Sequence, residues 1–220
     1  MDGLLLALDT STQVASVALY DGTSVRAETT WEAPRRHTME LAPQVVTMLN
    51  QLETDVSSLT GLAVALGPGS FTGLRIGLAL AKGLALALAI PLVGIPTLDV
   101  TVYPIRQHRT TLYAALQAGR GRICVAPYRW RRGRWHQADE MTITTWTELA
   151  AAAEDGAVFC GEIKARGMDA LKGRTTKTTV VPAATRLRRA GYLAELGWGR
   201  LARGEKDDPV RLQPIYLHTV

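Results

Sequence analysis

The chain has 220 residues, of which 47% are hydrophobic and 20% charged, with a formal net charge of +5; this is the balance of one folded domain or of two small lobes. Two cysteines exclude a disulfide scaffold, and no low-complexity segment or short-period repeat is present. Residues 1–103 carry 5 Lys/Arg against 9 Asp/Glu and residues 104–220 carry 20 against 11, an asymmetry that suits a polyanion or an acidic partner on the C-terminal half, or simply a soluble surface.

The first elements are strands. Leu4–Leu8, Ala15–Tyr20 and Val25–Thr30 are apolar or alternating runs, and Asp21-Gly22 marks a hairpin, so three antiparallel strands are predicted. The start of the chain lacks the cationic segment and cleavage site of a signal peptide, so a cytoplasmic protein is expected. From Thr38 to Gln51, apolar residues at Leu41, Val45, Leu49 and Leu52 recur at helical spacing and predict an amphipathic helix. Leu62–Leu66 is a fourth strand, Leu74–Ala89 a second helix and Pro91–Ile95 a fifth strand, an alternation that argues an α/β layered sheet. The second helix is apolar on nearly every face, but Arg75 and Lys82 and its short length read as a covered soluble helix rather than a membrane span.

Beyond Tyr103 the pattern starts again. Thr111–Gln117 and Ile123–Trp130 read as strands, Arg131-Arg132-Gly133 as a turn, and Trp135–Ile143 as a further strand. Trp146–Ala153 is predicted helical, Ala157–Cys160 a strand, and Pro182–Arg203 mostly helical with an interruption at Gly191. Cys124 and Cys160 lie in apolar strands and read as reduced core thiols. Two lobes of like design follow, at 1–103 and 104–220, with the last helix packing back on the first lobe.

Between the fourth strand and the second helix stands Gly67-Pro68-Gly69-Ser70-Phe71-Thr72-Gly73-Leu74-Arg75-Ile76-Gly77. Strand, glycine turn and helix suit either an anion at the helix N-terminus or a close approach of backbone elements. A Walker A loop would need Gly-Lys-Ser/Thr where Gly73-Leu74-Arg75 stands, so this is not a P-loop. Ser70 is one residue out of a Gly-x-Ser-x-Gly elbow, and no His/Asp pair can be placed with it.

Together with Leu6–Thr12 (LALDTST), Pro34–His37 (PRRH) and Ile90–Leu98 (IPLVGIPTL), this motif closely resembles the bacterial TsaB family of tRNA threonylcarbamoyladenosine biosynthesis. The resemblance is specific over Leu4–Val102. It weakens beyond, at Ala114–Val125 and Pro214–Leu217, where Gln117 replaces the family's usual Asp and His218 its usual Arg. It implies an actin-like ATPase fold (sugar kinase, Hsp70, actin) of two related lobes with mixed sheets flanked by helices, sometimes labelled M22 glycoprotease-like. It further implies a non-catalytic scaffold that pairs with a TsaD-type transferase, with a TsaE-type ATPase and tRNA completing the assembly, and no membrane. The TsaD-type enzyme threonylcarbamoylates adenosine 37 of tRNAs reading codons that begin with A. The alternative is an actin-like small-molecule kinase or ATPase with its own active site.

The resemblance also proposes sites. The catalytic relative's His-x-x-x-His metal pair corresponds to Thr97 and Thr101, so no metal and no catalytic residue is expected. Asp9, Thr12, Gly67, Gly69 and Gly73 stand where actin-like ATPases bind nucleotide, making ATP the one cofactor to consider; a turn closed by side-chain hydrogen bonds is the other reading of Asp9. The partner contact is assigned to the two helices, through Leu41, Val45, Ile76, Leu80 and Leu84, a surface that could also self-pair as a homodimer. From the residues alone, apart from the resemblance, Arg129, Arg131, Arg132 and Arg134, interleaved with Trp130 and Trp135, suit RNA contact or the protection of a hairpin edge.

Overall fold

Large and small apolar residues alternate along the first strands, and this alternation decides which helix lies on which side. The computed structural model describes residues 3–216, which divide into two units: residues up to Val100 with Arg189–Tyr216, and Thr101–Arg188. In the first unit β1 (Leu4–Asp9), β2 (Val14–Tyr20) and β3 (Val25–Glu32) pair antiparallel, while β4 (Leu59–Gly67) and β5 (Leu92–Pro96) add in parallel, giving the order β3-β2-β1-β4-β5.

Leu6, Leu8, Val17, Leu19, Leu62 and Val64 point to one face and meet α1 (His37–Gln51) and α2 (Phe71–Leu88). Their neighbours Leu5, Ala7, Ala18, Ala63, Ala65 and Val93 point to the other, against α7 (Ala190–Ala202). The alanines leave room for a close helix, and Gly197 completes the fit, since a Cβ there would stand 2.5 Å from that of Ala63. Each fully buried Leu or Val contributes about 1.5–3 kcal/mol, so the two faces carry most of this unit's stability.

The second unit repeats the topology. β6 (Leu112–Gln117), β7 (Arg122–Arg131) and β8 (Arg134–Gln137) pair antiparallel, and β10 (Ala157–Gly161) and β11 (Thr178–Val180) add in parallel, in the order β11-β10-β6-β7-β8. Substituting element for element gives the order of the first sheet. α4 (Trp146–Ala152) and α5 (Ala165–Lys172) cover one face, burying Trp146 with Ile123, Val125 and Phe159. α4 starts where it does because Thr145 accepts from the Glu148 N–H and Glu148 accepts in return from the Thr145 N–H, a capping box. Gly167 lets α5 sit on the Trp146 ring, which a Cβ would approach to 2.6 Å.

Several sequence expectations change. Trp135–Ile143 is not one strand: β8 ends at Gln137, and β9 (Thr142–Thr145) pairs with a different stretch of β7, Arg122–Val125, because the exposed run Ala138–Glu140 has no apolar alternation to continue the pairing. The break in Pro182–Arg203 falls between α6 (Ala183–Arg186) and α7, not at Gly191. Gly191 lies in the first turn of α7, and its N–H donates to Glu28 Oε1 at 2.9 Å. α3 (Thr97–Val102), α5 and β11 were not anticipated. The expected division at 103 differs from the break after Val100, and the chain from Arg189 to Tyr216 belongs to the first unit because α7 supplies the apolar cover of its second face. Among the described residues α2 alone is long and apolar enough to cross a membrane; one side of it is occupied by the sheet.

Candidate functional site

β1 ends at Asp9, and the turn after it, Thr10-Ser11-Thr12, is buried. The Asp9 carboxylate accepts from the Ser11 N–H at 2.8 Å and the Ser11 hydroxyl at 2.5 Å, closing the turn locally. The glycine loop packs directly on Thr10 and Ser11 of this turn. The Ser70 N–H donates to the Ser11 carbonyl at 2.6 Å and the Thr10 hydroxyl to the Gly73 carbonyl at 2.7 Å. A Cβ at Gly69 would stand 2.1 Å from the Ser11 carbonyl oxygen, one at Gly73 2.1 Å from that of Thr10, and one at Gly77 2.3 Å from the Thr10 hydroxyl. Gly67, at φ +114°, donates its N–H to the Thr97 hydroxyl at 3.0 Å. The structure therefore brings Asp9, Thr12, Gly67, Gly69 and Gly73 together, and assigns Gly69 and Gly73 to close backbone approach. Ser70 caps α2 by accepting from the Gly73 N–H, which moves the helix start to Phe71, three residues before the predicted one.

α1 and α2 lie side by side on the first sheet, and their outward face differs from the one expected. Leu41 and Val45 are 2% and 5% exposed and form part of the core, in the stripe His37, Leu41, Val45, Met48 and Leu49 that faces the sheet. Their assignment to a partner surface is corrected: helical periodicity identifies the face that is buried within the chain. Ile76, Leu80 and Leu84 are half-buried at the margin of that core. The outward apolar residues missed are Met39, Val46 and Leu86, which are 76%, 55% and 63% exposed. Their signal was apolar side chains at positions out of phase with the buried stripe. Between the N-terminal turns of α1 and α2 a cleft of about 470 Å³ is lined by Thr12, Arg35, His37, Ser70, Thr72 and Gly73, and His37 Nε2 lies 2.9 Å from the Thr12 carbonyl oxygen in its wall.

In the second unit, β7 and β8 form a hairpin that turns at Arg132 and Gly133, both at positive φ (49° and 79°). The register sets Arg129 opposite His136, Trp130 opposite Trp135 and Arg131 opposite Arg134. Residues directly opposite share a face and neighbours along a strand alternate. Arg129, Arg131, Arg134 and His136 therefore lie on one side of the ribbon and the two indoles on the other. The rings meet edge to face at 5.4 Å, and Trp135 Nε1 donates to the Ile105 carbonyl at 2.9 Å. Of the arginines, Arg129 reaches Glu154 at 3.5 Å.

A family model described as TsaD, tRNA N6-adenosine threonylcarbamoyltransferase, matches residues 31–179. The protein named tRNA threonylcarbamoyladenosine biosynthesis protein TsaB of Escherichia coli K12 is 38% identical over 135 residues, 60% of this chain and 58% of that protein. The chain belongs to the TsaD/TsaB family. The TsaB protein of Bacillus subtilis 168 is 29% identical over 160 residues, 71% of this chain and 70% of its own length. The match thus spans somewhat over half of the E. coli TsaB and about two thirds of the B. subtilis one. The solved structure of YeaZ from Pseudomonas aeruginosa is similar across 99% of this chain and 100% of that one, at 27% identity and a TM-score of 0.80. A ROK hexokinase from Thermus thermophilus, at 10% identity and a TM-score of 0.52, shares the actin-like fold alone.

Within the TsaD/TsaB framework the described residues contain no group of three or more His, Cys, Asp or Glu arranged to hold a metal. Thr97 and Thr101 are both buried hydroxyls, and that of Thr97 is engaged by the Gly67 N–H. Burial pushes the Cys124 thiol up to about 12 and raises Cys160 further, so neither is a thiolate at neutral pH. Gln117 holds Glu162 from two sides, its N–H donating to Oε2 at 2.9 Å and its side-chain amide to the carbonyl at 2.8 Å. His218 and Leu217 lie outside the described residues.

Proposed function

We propose that this chain acts in tRNA threonylcarbamoyladenosine biosynthesis, the process for which its E. coli and B. subtilis relatives are named, as a subunit without chemistry of its own that pairs with a TsaD-type transferase. The observation that carries the pairing is the outward face of α1 and α2. Met39 and Val46 are exposed on α1, and Ile76, Leu80 and Leu84 form a half-buried stripe along α2, which gives apolar positions on two neighbouring helices. Two helices presented side by side favour a partner that offers two of its own, and the same face can self-pair when that partner is absent. The transferase then supplies the reaction on adenosine 37 of tRNAs reading codons that begin with A. A TsaE-type ATPase and the tRNA join through the complex, in the cytoplasm.

The chain's own contribution in this reading is structural. Supporting it, the Asp9 carboxylate is engaged by Ser11, and Gly69 and Gly73 lie against the carbonyl oxygens of Ser11 and Thr10. No ATP is needed by this subunit, and titration calorimetry at millimolar ATP should give no heat. The deciding experiment is tRNA modification by the catalytic subunit with and without this chain, alongside phosphate release by this chain alone. Modification that depends on the chain, with no turnover by the chain itself, is the expected result. Equal modification in its absence would refute the reading.

A further inference from the structure

We propose that the arginine face of the β7–β8 ribbon binds the phosphate backbone of RNA by charge, and that the tryptophans beside it take no part in stacking on bases. The proposal rests on the tRNA-modification reading only for the identity of the RNA.

The first observation is where the charge goes. Residues 101–188 hold 15 Lys/Arg against 7 Asp/Glu, while the rest of the chain holds 10 against 13. The whole positive excess therefore belongs to the second unit. Within it the hairpin concentrates cations in a way the fold alone does not require. Arg131 and Arg134 are direct cross-strand partners, and like charges directly opposite are destabilising. Among the described residues no carboxylate forms an ion pair with Arg131, Arg132 or Arg134, and the Arg134 Nε–H donates to His136 Nε2 at 3.2 Å rather than to an acid. A single charged side chain is enough to discourage edge-to-edge pairing. A facing pair of arginines with a third at the turn exceeds that need and leaves three guanidinium groups available for an anionic partner.

The geometry also says how the contact is made. Arg131 and Arg134, directly opposite on one face, and Arg132 at the turn gather three cations at the tip of the ribbon, which suits neighbouring phosphates of one backbone. The indoles that composition alone would enlist for stacking are on the opposite side. They pack on each other, and Trp135 is tied to the Ile105 carbonyl, so they hold the ribbon in place. Binding through this face is accordingly sequence-independent and strongly dependent on salt.

The test is fluorescence anisotropy with a labelled tRNA across a potassium chloride series, using the full chain alone and in complex with its catalytic subunit. Replacing Arg131, Arg132 and Arg134 together by Ala should make the slope of log K against log salt shallower by about 2, and lower affinity about 100-fold at 0.1 M salt, at roughly 0.7 per phosphate contact. The corresponding triple Lys variant should restore the slope, and Trp130→Leu should leave it unchanged. An unaltered slope in the triple Ala variant, or no tRNA binding through this chain in either setting, would overturn the proposal. So would loss of the catalytic subunit with RNA binding intact, which would mark an acidic protein surface as the occupant. Modification assays on the same variants separate the two readings: a chain that supports modification with an unaltered slope removes only the RNA face, and one whose slope flattens but which modification does not require removes only the subunit role.

Discussion

The same substitution at two glycines of α2 should have opposite effects. At Gly73 a Cβ would stand 2.1 Å from the Thr10 carbonyl oxygen, inside the 3.0 Å that real Cβ atoms keep, so the turn after β1 must retreat by roughly 1 Å. That movement breaks the hydrogen bonds from Ser70 N–H to the Ser11 carbonyl and from the Thr10 hydroxyl to the Gly73 carbonyl. With each bond contributing about 1 kcal/mol, overpacking costing about 1–3 and alanine's helix preference returning about 1, Gly73→Ala should destabilise by about 2–4 kcal/mol. Gly83 lies ten residues along the same helix, is exposed, and has nothing within 4 Å of its Cβ position. There only the helix preference remains, so Gly83→Ala should stabilise by about 1 kcal/mol. Urea denaturation followed by circular dichroism gives both values. Equal effects of the two substitutions would refute the assignment of Gly73 to close approach with the Thr10 turn.

Ile76→Glu and Leu80→Glu, at the edge of the outward face, should abolish the complex with the catalytic subunit in size-exclusion chromatography while circular dichroism stays unchanged; an intact complex would remove this surface. Cys124 and Cys160 should not react with a thiol reagent at pH 8 in the folded chain and should both react in urea, because burial raises both thiols. The Asp21 carboxylate accepts from Thr23 N–H, Thr23 Oγ1 and Ser24 N–H at 2.8–2.9 Å, which holds its pKa well below the ordinary carboxylate value. A folded pKa below the unfolded one gives stability that is present above about pH 4 and lost as pH falls through the folded value. The stability gap between wild type and Asp21→Ala should therefore be full at pH 6 and shrink on acidification; a gap that widens in acid would contradict this assignment.

The strands of the first unit were readable because each is a long apolar run ended by a polar turn, and α1 because one stripe of Leu and Val repeats at helical spacing. What that stripe could not tell is the direction of its neighbours: Leu41 and Val45 are conspicuous because they are core, while Met39 and Val46 lie outside the stripe and are exposed. α5 was invisible because Gly167 and its polar neighbours dilute the pattern, and the reason for that glycine, the Trp146 ring beneath it, lies twenty-one residues earlier in the chain. The glycine loop was found at once, but both its readings required glycine. Only the positions of Ser11 and Thr10, more than fifty residues upstream, identify the close approach. In the arginine hairpin the residue types were visible and their sorting onto two sides was not, since that depends on a register fixed by the turn at Arg132-Gly133.

The return of the chain into its first unit at Arg189 has a consequence on the ribosome. Leu5, Ala7, Ala18, Ala63, Ala65 and Val93 are translated by residue 100, but α7, which shelters them, is complete only at Ala202. At roughly 5–20 residues per second, that half of the nascent sheet stays bare for roughly 5–20 s while the intervening unit is made. Any stall within that stretch leaves an unsheltered apolar surface in the cell, and release of a chain truncated there would deliver it to chaperones or proteases.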